Sequence, residues 1–197
     1  MRRHSAALAA AALLFLASGC SRSPKVNFYT LSAAAPPLAR GEALAPSVSV
    51  GPVTLPEVVD RPQLVVRVAP NRVEVLETQR WAEPLKREIP RLLAQNIGLL
   101  LGSERVFSYG QGAGADARYR VLVDIVRLEA VPGESVTLEA HWSIRGPGGA
   151  KRGGRSLVQE KAAGAGYEAL VAACSRALAG MSDDIAKAIR AEAAAAP

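Results

Sequence analysis

The chain has 197 residues, a formal net charge of +6, 49% hydrophobic residues and only two cysteines. That length suits one domain with a proper core, and two cysteines exclude a disulfide-stapled scaffold. The modest positive balance is carried by scattered arginines and does not call for nucleic acid as a partner.

The N-terminus opens Met1-Arg2-Arg3-His4, and every residue from Ala6 to Ala17 is Ala, Leu or Phe. A charged start, an apolar run of about 7–15 residues and small residues before a cut make a secretion signal. The run falls short of the roughly 20 apolar residues needed to span a bilayer. The string Leu16-Ala17-Ser18-Gly19-Cys20 resembles a lipobox, in which a peptidase cuts before a cysteine bearing diacylglycerol; Ala17 stands where Leu is usual. Residues 1–19 are therefore expected to be a lipoprotein signal peptide and Cys20 the lipidated residue. That covalent lipid is the only prosthetic group expected, with no other cofactor. One acyl chain binds a membrane only reversibly, whereas the three of a mature bacterial lipoprotein would hold firmly. Ser21, not Asp, follows the cysteine, which by likeness to proteobacterial lipoproteins points to the periplasmic face of the outer membrane. Removing nineteen of 197 residues leaves 178, with 22 basic and 18 acidic side chains once Arg2 and Arg3 are gone. Without lipid on Cys20, a Cys20–Cys174 disulfide is the alternative.

Residues 20–27 read as a polar tether, and 28–191 as a single domain. Phe28-Tyr29-Thr30-Leu31 reads as a short strand, followed by an Ala- and Pro-rich connecting loop over 33–46. Val48, Val50, Val53 and Leu55 continue an apolar pattern past Pro52. Leu64, Val66 and Val68 alternate with Val65 and Arg67; Pro70-Asn71 then supplies a turn and Val73 and Val75 a return strand, together a hairpin. Pro84 suits the first position of a helix whose stripe is Leu85, Ile89, Leu92, Leu93, Ile97 and Leu100. Pro90 conflicts with that stripe, since an interior proline costs about 3 kcal/mol or kinks the helix. A bend near Lys86–Arg87 or a later start is expected, with a stop at Gly98–Gly102.

A short strand is expected over Arg105–Tyr109 and a glycine-rich loop over Gly110–Asp116. Strands at Tyr119–Ala130 and Ser135–Arg145 flank a Pro132-Gly133 turn, the second alternating cleanly. Gly146–Gly154 reads as a glycine-rich basic turn and Arg155–Lys161 as a strand. Tyr167, Leu170, Val171, Cys174, Leu178, Met181, Ile185 and Ile189 mark a long closing helix, and 192–197 a disordered tail. The fold class is α+β: a mostly antiparallel sheet with two main helices packed on it, in one domain.

Catalytic patterns are scarce. His141 is the only histidine left after export, and it lies on the polar face of a strand; no cysteine or carboxylate cluster accompanies it to make a zinc site. No G-x-S-x-G elbow is present. Gly110-Gln111-Gly112-Ala113-Gly114 lacks the Gly-Lys-Ser/Thr of a P-loop and leads into a strand. Lys151-Arg152-Gly153-Gly154-Arg155 is read as a solvated hairpin tip, with phosphate contact as the alternative. No catalytic, cofactor-binding or metal-binding residue is assigned, and a non-enzymatic role is expected.

Several stretches in order resemble one family. They are the lipobox followed closely by Phe28-Tyr29-Thr30-Leu31; Val50-Gly51-Pro52-Val53 to Leu55-Pro56; Asp60-Arg61-Pro62-Gln63-Leu64-Val65-Val66-Arg67; Asn71-Arg72-Val73; and Arg80-Trp81-Ala82-Glu83-Pro84-Leu85. This series is similar to the auxiliary lipoproteins of ABC-type MCE lipid transporters, the paraquat-inducible protein C group. The resemblance covers residues 20 to 100; beyond 110 it is one of architecture. It implies a non-catalytic outer-membrane component with three inner-membrane partners: a permease, an ATPase and a tunnel-forming MCE protein. It also implies a role in moving phospholipid or another hydrophobic molecule between membranes, and self-association into rings. By the same resemblance Asp60, Arg61, Pro62 and Trp81 are the candidate partner surface. The alternative is an outer-membrane assembly or secretion-accessory lipoprotein without an MCE transporter.

Overall fold

The computed structural model describes residues 24–36 and 46–195. Cys20 and most of the 33–46 loop lie outside these residues. Among the described residues eight strands and two long helices form: β1 (Asn27–Tyr29), β2 (Val48–Thr54), β3 (Gln63–Ala69), β4 (Arg72–Trp81), α1 (Leu85–Leu101), β5 (Val106–Ser108), β6 (Tyr119–Val131), β7 (Ser135–Arg145), β8 (Lys151–Lys161) and α2 (Tyr167–Ala195).

The strands make two sheets, of order β1-β4-β3 and β5-β2-β6-β7-β8. The class is α+β, as expected, but the pairing is mixed. β3–β4, β6–β7 and β7–β8 are antiparallel, whereas β1–β4, β2–β5 and β2–β6 are parallel. Parallel pairing needs a long crossover, and β2 meets β5 only after the hairpin and α1 have intervened. Sequence alternation reports which face of a strand is buried, not the direction of its neighbour.

Both helices lie on one face of the five-stranded sheet, α1 over β2 and β5 and α2 over β6, β7 and β8. Alternate residues of β7 (Val136, Leu138, Ala140, Trp142, Ile144) face them and are buried, while Glu139 and His141 point to the open side. The expected stripe of α2 is buried from Leu170 to Ile189. A large apolar side chain fully buried in this way contributes about 1.5–3 kcal/mol.

Four expectations are corrected. Helix α1 neither starts late nor breaks at Pro90. Pro84 is its N-cap, and the Pro84 carbonyl accepts from the Arg87 and Glu88 amides at 2.9 and 3.1 Å. The proline at position 90 removes only the bond to the Lys86 carbonyl, on an exposed residue that water can reach, while its ring is buried in the core. The stop is at Gly102, in the left-handed conformation (φ 62°, ψ 29°). Second, β8 begins at Lys151, so the basic segment 151–155 is strand and the turn shrinks to Pro147–Gly149. Gly154 is glycine for a packing reason: a Cβ there would lie 2.2 Å from the Trp142 ring that covers it. Third, α2 runs to Ala195, through most of the expected tail, because a run of alanines is the best of helix formers. Fourth, β1 is Asn27–Tyr29, ending before Leu31.

Candidate functional site

The hairpin, β1 and the start of α1 meet at one end of the domain. There the Trp81 amide donates to the Pro62 carbonyl at 2.7 Å, and the Ala82 amide donates to the Tyr29 carbonyl at 2.8 Å. The first bond closes the Asp60-Arg61-Pro62 turn onto the end of β4, and the second ties the end of β1 beside it. The result is a surface groove of about 270 Å³ lined by Asp60, Arg61, Pro62, Trp81 and the residues 82–85 that lead into α1. All four residues singled out from the sequence thus line one groove, although some twenty positions separate them along the chain.

They are not equivalent within it. Trp81 is buried, and its indole also lines a small internal cavity of about 20 Å³ with Leu85, Leu170 and Cys174. It is a wall of the core whose outer side shapes the groove. Asp60 is held by the Lys86 ammonium at 2.5 Å, which ties the turn to the first turn of α1. Glu83 is paired with Arg91. Arg61 and Pro62 are exposed, and among the described residues the Arg61 guanidinium has no ion-pair partner. Among the described residues, then, the groove presents the Arg61 cation without an ion-pair partner at an apolar edge, flanked by the Asp60–Lys86 and Glu83–Arg91 pairs.

A second set of polar residues escaped the sequence reading. The segment leaving β1 is strapped across both helices. The Leu31 amide donates to Glu88 Oε1 at 2.7 Å and the Ser32 amide to Ser175 Oγ at 3.2 Å; Ala34 and Ala35 both donate to Asn96 Oδ1 at 3.2 and 3.3 Å. Glu88 and Asn96 are 1% and 0% exposed. Burial pushes the Glu88 carboxyl above its ordinary value, against the Leu31 hydrogen bond that pulls it down. Both residues fall within the apolar stripe of α1, three after Leu85 and four after Leu92. That spacing was the legible signal.

The remaining candidates bring no chemistry together. His141 is exposed on the open sheet face, opposite Asp124 and Arg155 in register. Gly112–Gly114 is a short 3₁₀ turn with Gly114 closed against Phe107. Two arginines of the basic segment are paired, Arg152 with Glu192 and Arg155 with Glu139, and the Arg155 guanidinium holds the Glu139 carboxyl below its ordinary value. Cys174 is buried and free, its thiol pushed up to about 12 by burial. Among the described residues no group of three His, Cys, Asp or Glu side chains could hold a metal. Nor is any described helix long and apolar enough to cross a membrane.

The groove and the strap thus belong to one α+β domain. Residues 29–186 match the model of the ABC-type transport auxiliary lipoprotein component family, and the chain belongs to that family. Solved structures share the fold. A crystal structure of an uncharacterized protein is 17% identical, covering 84% of this chain and 99% of its own at a TM-score of 0.70. Protein XCC0632 from Xanthomonas campestris is 15% identical, covering 82% and 93% at 0.67. No curated protein matches the sequence.

Proposed function

We propose that this protein is the non-catalytic outer-membrane lipoprotein of an ABC-type MCE transport system. In this reading it is held by lipid on Cys20 at the periplasmic face, and it receives the far end of a periplasm-spanning MCE protein whose permease and ATPase sit in the inner membrane. The cargo is phospholipid or another hydrophobic molecule, and the role supports envelope integrity. The observation that carries the reading is the groove of Asp60, Arg61, Pro62 and Trp81, in a chain of the transport auxiliary lipoprotein family. Arg61 supplies an unpaired cation for an acidic residue of the partner, and Pro62 an exposed apolar edge. A desolvated charge pair of this kind decides specificity and orientation. Copies of the chain are expected to ring the end of the tunnel.

The test is crosslinked affinity purification of the membrane-bound protein, with mass spectrometry of the partners and of the N-terminal peptide. Recovery of an MCE protein with triacylated Cys20, and its loss on Arg61→Glu, is the expected result. Acylated Cys20 without transporter components would favour an assembly or secretion-accessory lipoprotein instead. An unmodified Cys20 would remove the anchor on which the reading depends.

A further inference from the structure

The three-stranded sheet carries a surface that the groove does not use. Val65, Arg67, Val73 and Val75 share one face of the β3–β4 hairpin, because Val73 pairs with Arg67 and Val75 with Val65. Val58 and Val126 approach the same face from the neighbouring loop and strand, closing an apolar depression of about 260 Å³. Val58, Val73, Val75 and Val126 are 44%, 40%, 37% and 44% exposed. Arg67 is paired with Glu129 beside them, so the surface bears no uncompensated acid of its own. Contiguous exposed apolar side chains of this kind mark an interaction site.

The chain itself indicates what covers this face. β1 runs parallel to β4, with Asn27 beside Gln79. Residues 24–26 therefore precede β1 on the side of the start of β4, where the hairpin turns at Pro70-Asn71. Seven residues separate Cys20 from Asn27, and seven separate Arg72 from Gln79. An extended tether spans at most about 24 Å, and seven residues of strand cover about 24 Å. A lipid on Cys20 can thus arrive level with the hairpin turn, beside the exposed valines. At the turn Arg72 is exposed, with no ion-pair partner among the described residues. From the turn, a long arginine side chain can reach lipid phosphate.

We infer that the valine face of the β3–β4 hairpin, with Val58 and Val126, docks on the bilayer leaflet that holds the lipid anchor. The face settles at the headgroup–acyl boundary, a depth of roughly 5–10 Å for interfacial elements. Arg72 and Glu74 alternate to the opposite face of β4 and stay among the headgroups, with Arg72 at the turn closest to phosphate. Docking at two points fixes the orientation of the domain, where a tether alone would let it tumble. The Asp60–Trp81 groove, at the other end of the hairpin, is then held off the membrane and open to the periplasm. This inference rests on the acylation of Cys20 proposed above.

The experiment uses the full acylated chain in vesicles of phosphatidylethanolamine and phosphatidylglycerol, with an environment-sensitive fluorophore on Val73→Cys or, as control, Ala150→Cys at the opposite end of the domain. The buried Cys174 thiol, with its raised pKa, stays unlabelled under native conditions. The label at position 73 should be quenched by lipid-borne quenchers and should show about threefold less iodide quenching than the label at 150. Equal iodide access at both positions overturns the docking while leaving the anchor intact. Self-quenching that grows with the labelled fraction overturns it in favour of contact between copies. An N-terminal peptide without acyl mass overturns the anchor reading and the docking with it.

Discussion

The two sheets use the same residue types and treat them differently. Val121, Val123 and Val136, facing inward in the five-stranded sheet, are at most 2% exposed, whereas Val73 and Val75 in the three-stranded sheet are 40% and 37% exposed. The large sheet has two helices over one face, so every inward valine finds a partner. The small sheet buries Leu64 and Val66 against the core, and among the described residues no helix covers its other face. An apolar side chain is buried in the first region and left at the surface in the second. The difference separates a scaffold from the surface it presents.

Substitutions can break this comparison in order of size. Leu138→Ala in the large sheet should cost about 2–5 kcal/mol, because a fully buried leucine leaves a cavity. Val75→Ala in the small sheet should stay within about 0.5 kcal/mol. Urea unfolding of the two variants checks the contrast, and equal losses would refute it. Gly154→Ala comes next. Its Cβ meets the Trp142 ring in the strand partner, so overpacking should cost about 1–3 kcal/mol. The tryptophan emission should shift with it, since the indole must leave its place beside Ser156, which accepts from Trp142 Nε1 at 3.0 Å.

Glu88→Gln probes the strap that ties the segment leaving β1 to the two helices. The folded state raises the Glu88 pKa chiefly through burial, so it binds the proton more tightly than the unfolded chain does. Stability contributed by the protonated carboxyl is present below the unfolded value of 4.5 and is lost as pH rises through the raised folded value. Glutamine keeps an acceptor for the Leu31 amide and carries no charge. The variant should therefore match the wild type at low pH and exceed it at neutral pH, with the gap in urea midpoint widening as pH rises. A constant gap would mean that Glu88 acts through packing alone. Smallest in stability, and largest in function, is Arg61→Glu. This exposed side chain should change unfolding by less than about 0.5 kcal/mol while abolishing partner recovery, which sharpens the division between scaffold and surface.

Much of this architecture was legible in the residues. The alternation of Val136 to Ile144, the stripe of α2 and the Pro132-Gly133 turn placed the long antiparallel strands and the closing helix correctly. The hairpin around Pro70-Asn71 was equally plain, because period and turn chemistry are local properties. Pro90 misled for the same reason: a local rule forbids it, yet the burial of its ring on the core face of α1 outweighs one lost hydrogen bond to an exposed residue. The basic segment 151–155 misled too, since Gly153 and Gly154 look like turn residues until Trp142 is placed across the strand. The candidate groove was legible only as four marked residues.

The sequence alone determined most of the helices and strands and the buried face of each, because these follow from side-chain periodicity. Tertiary structure decided the split into two sheets, their mixed direction, the closing of Asp60, Arg61, Pro62 and Trp81 into one groove, and the strap of Glu88, Asn96 and Ser175. Each of these depends on contacts between residues far apart in the chain. Such contacts are set by which faces can be covered at once, and no short-range pattern records that.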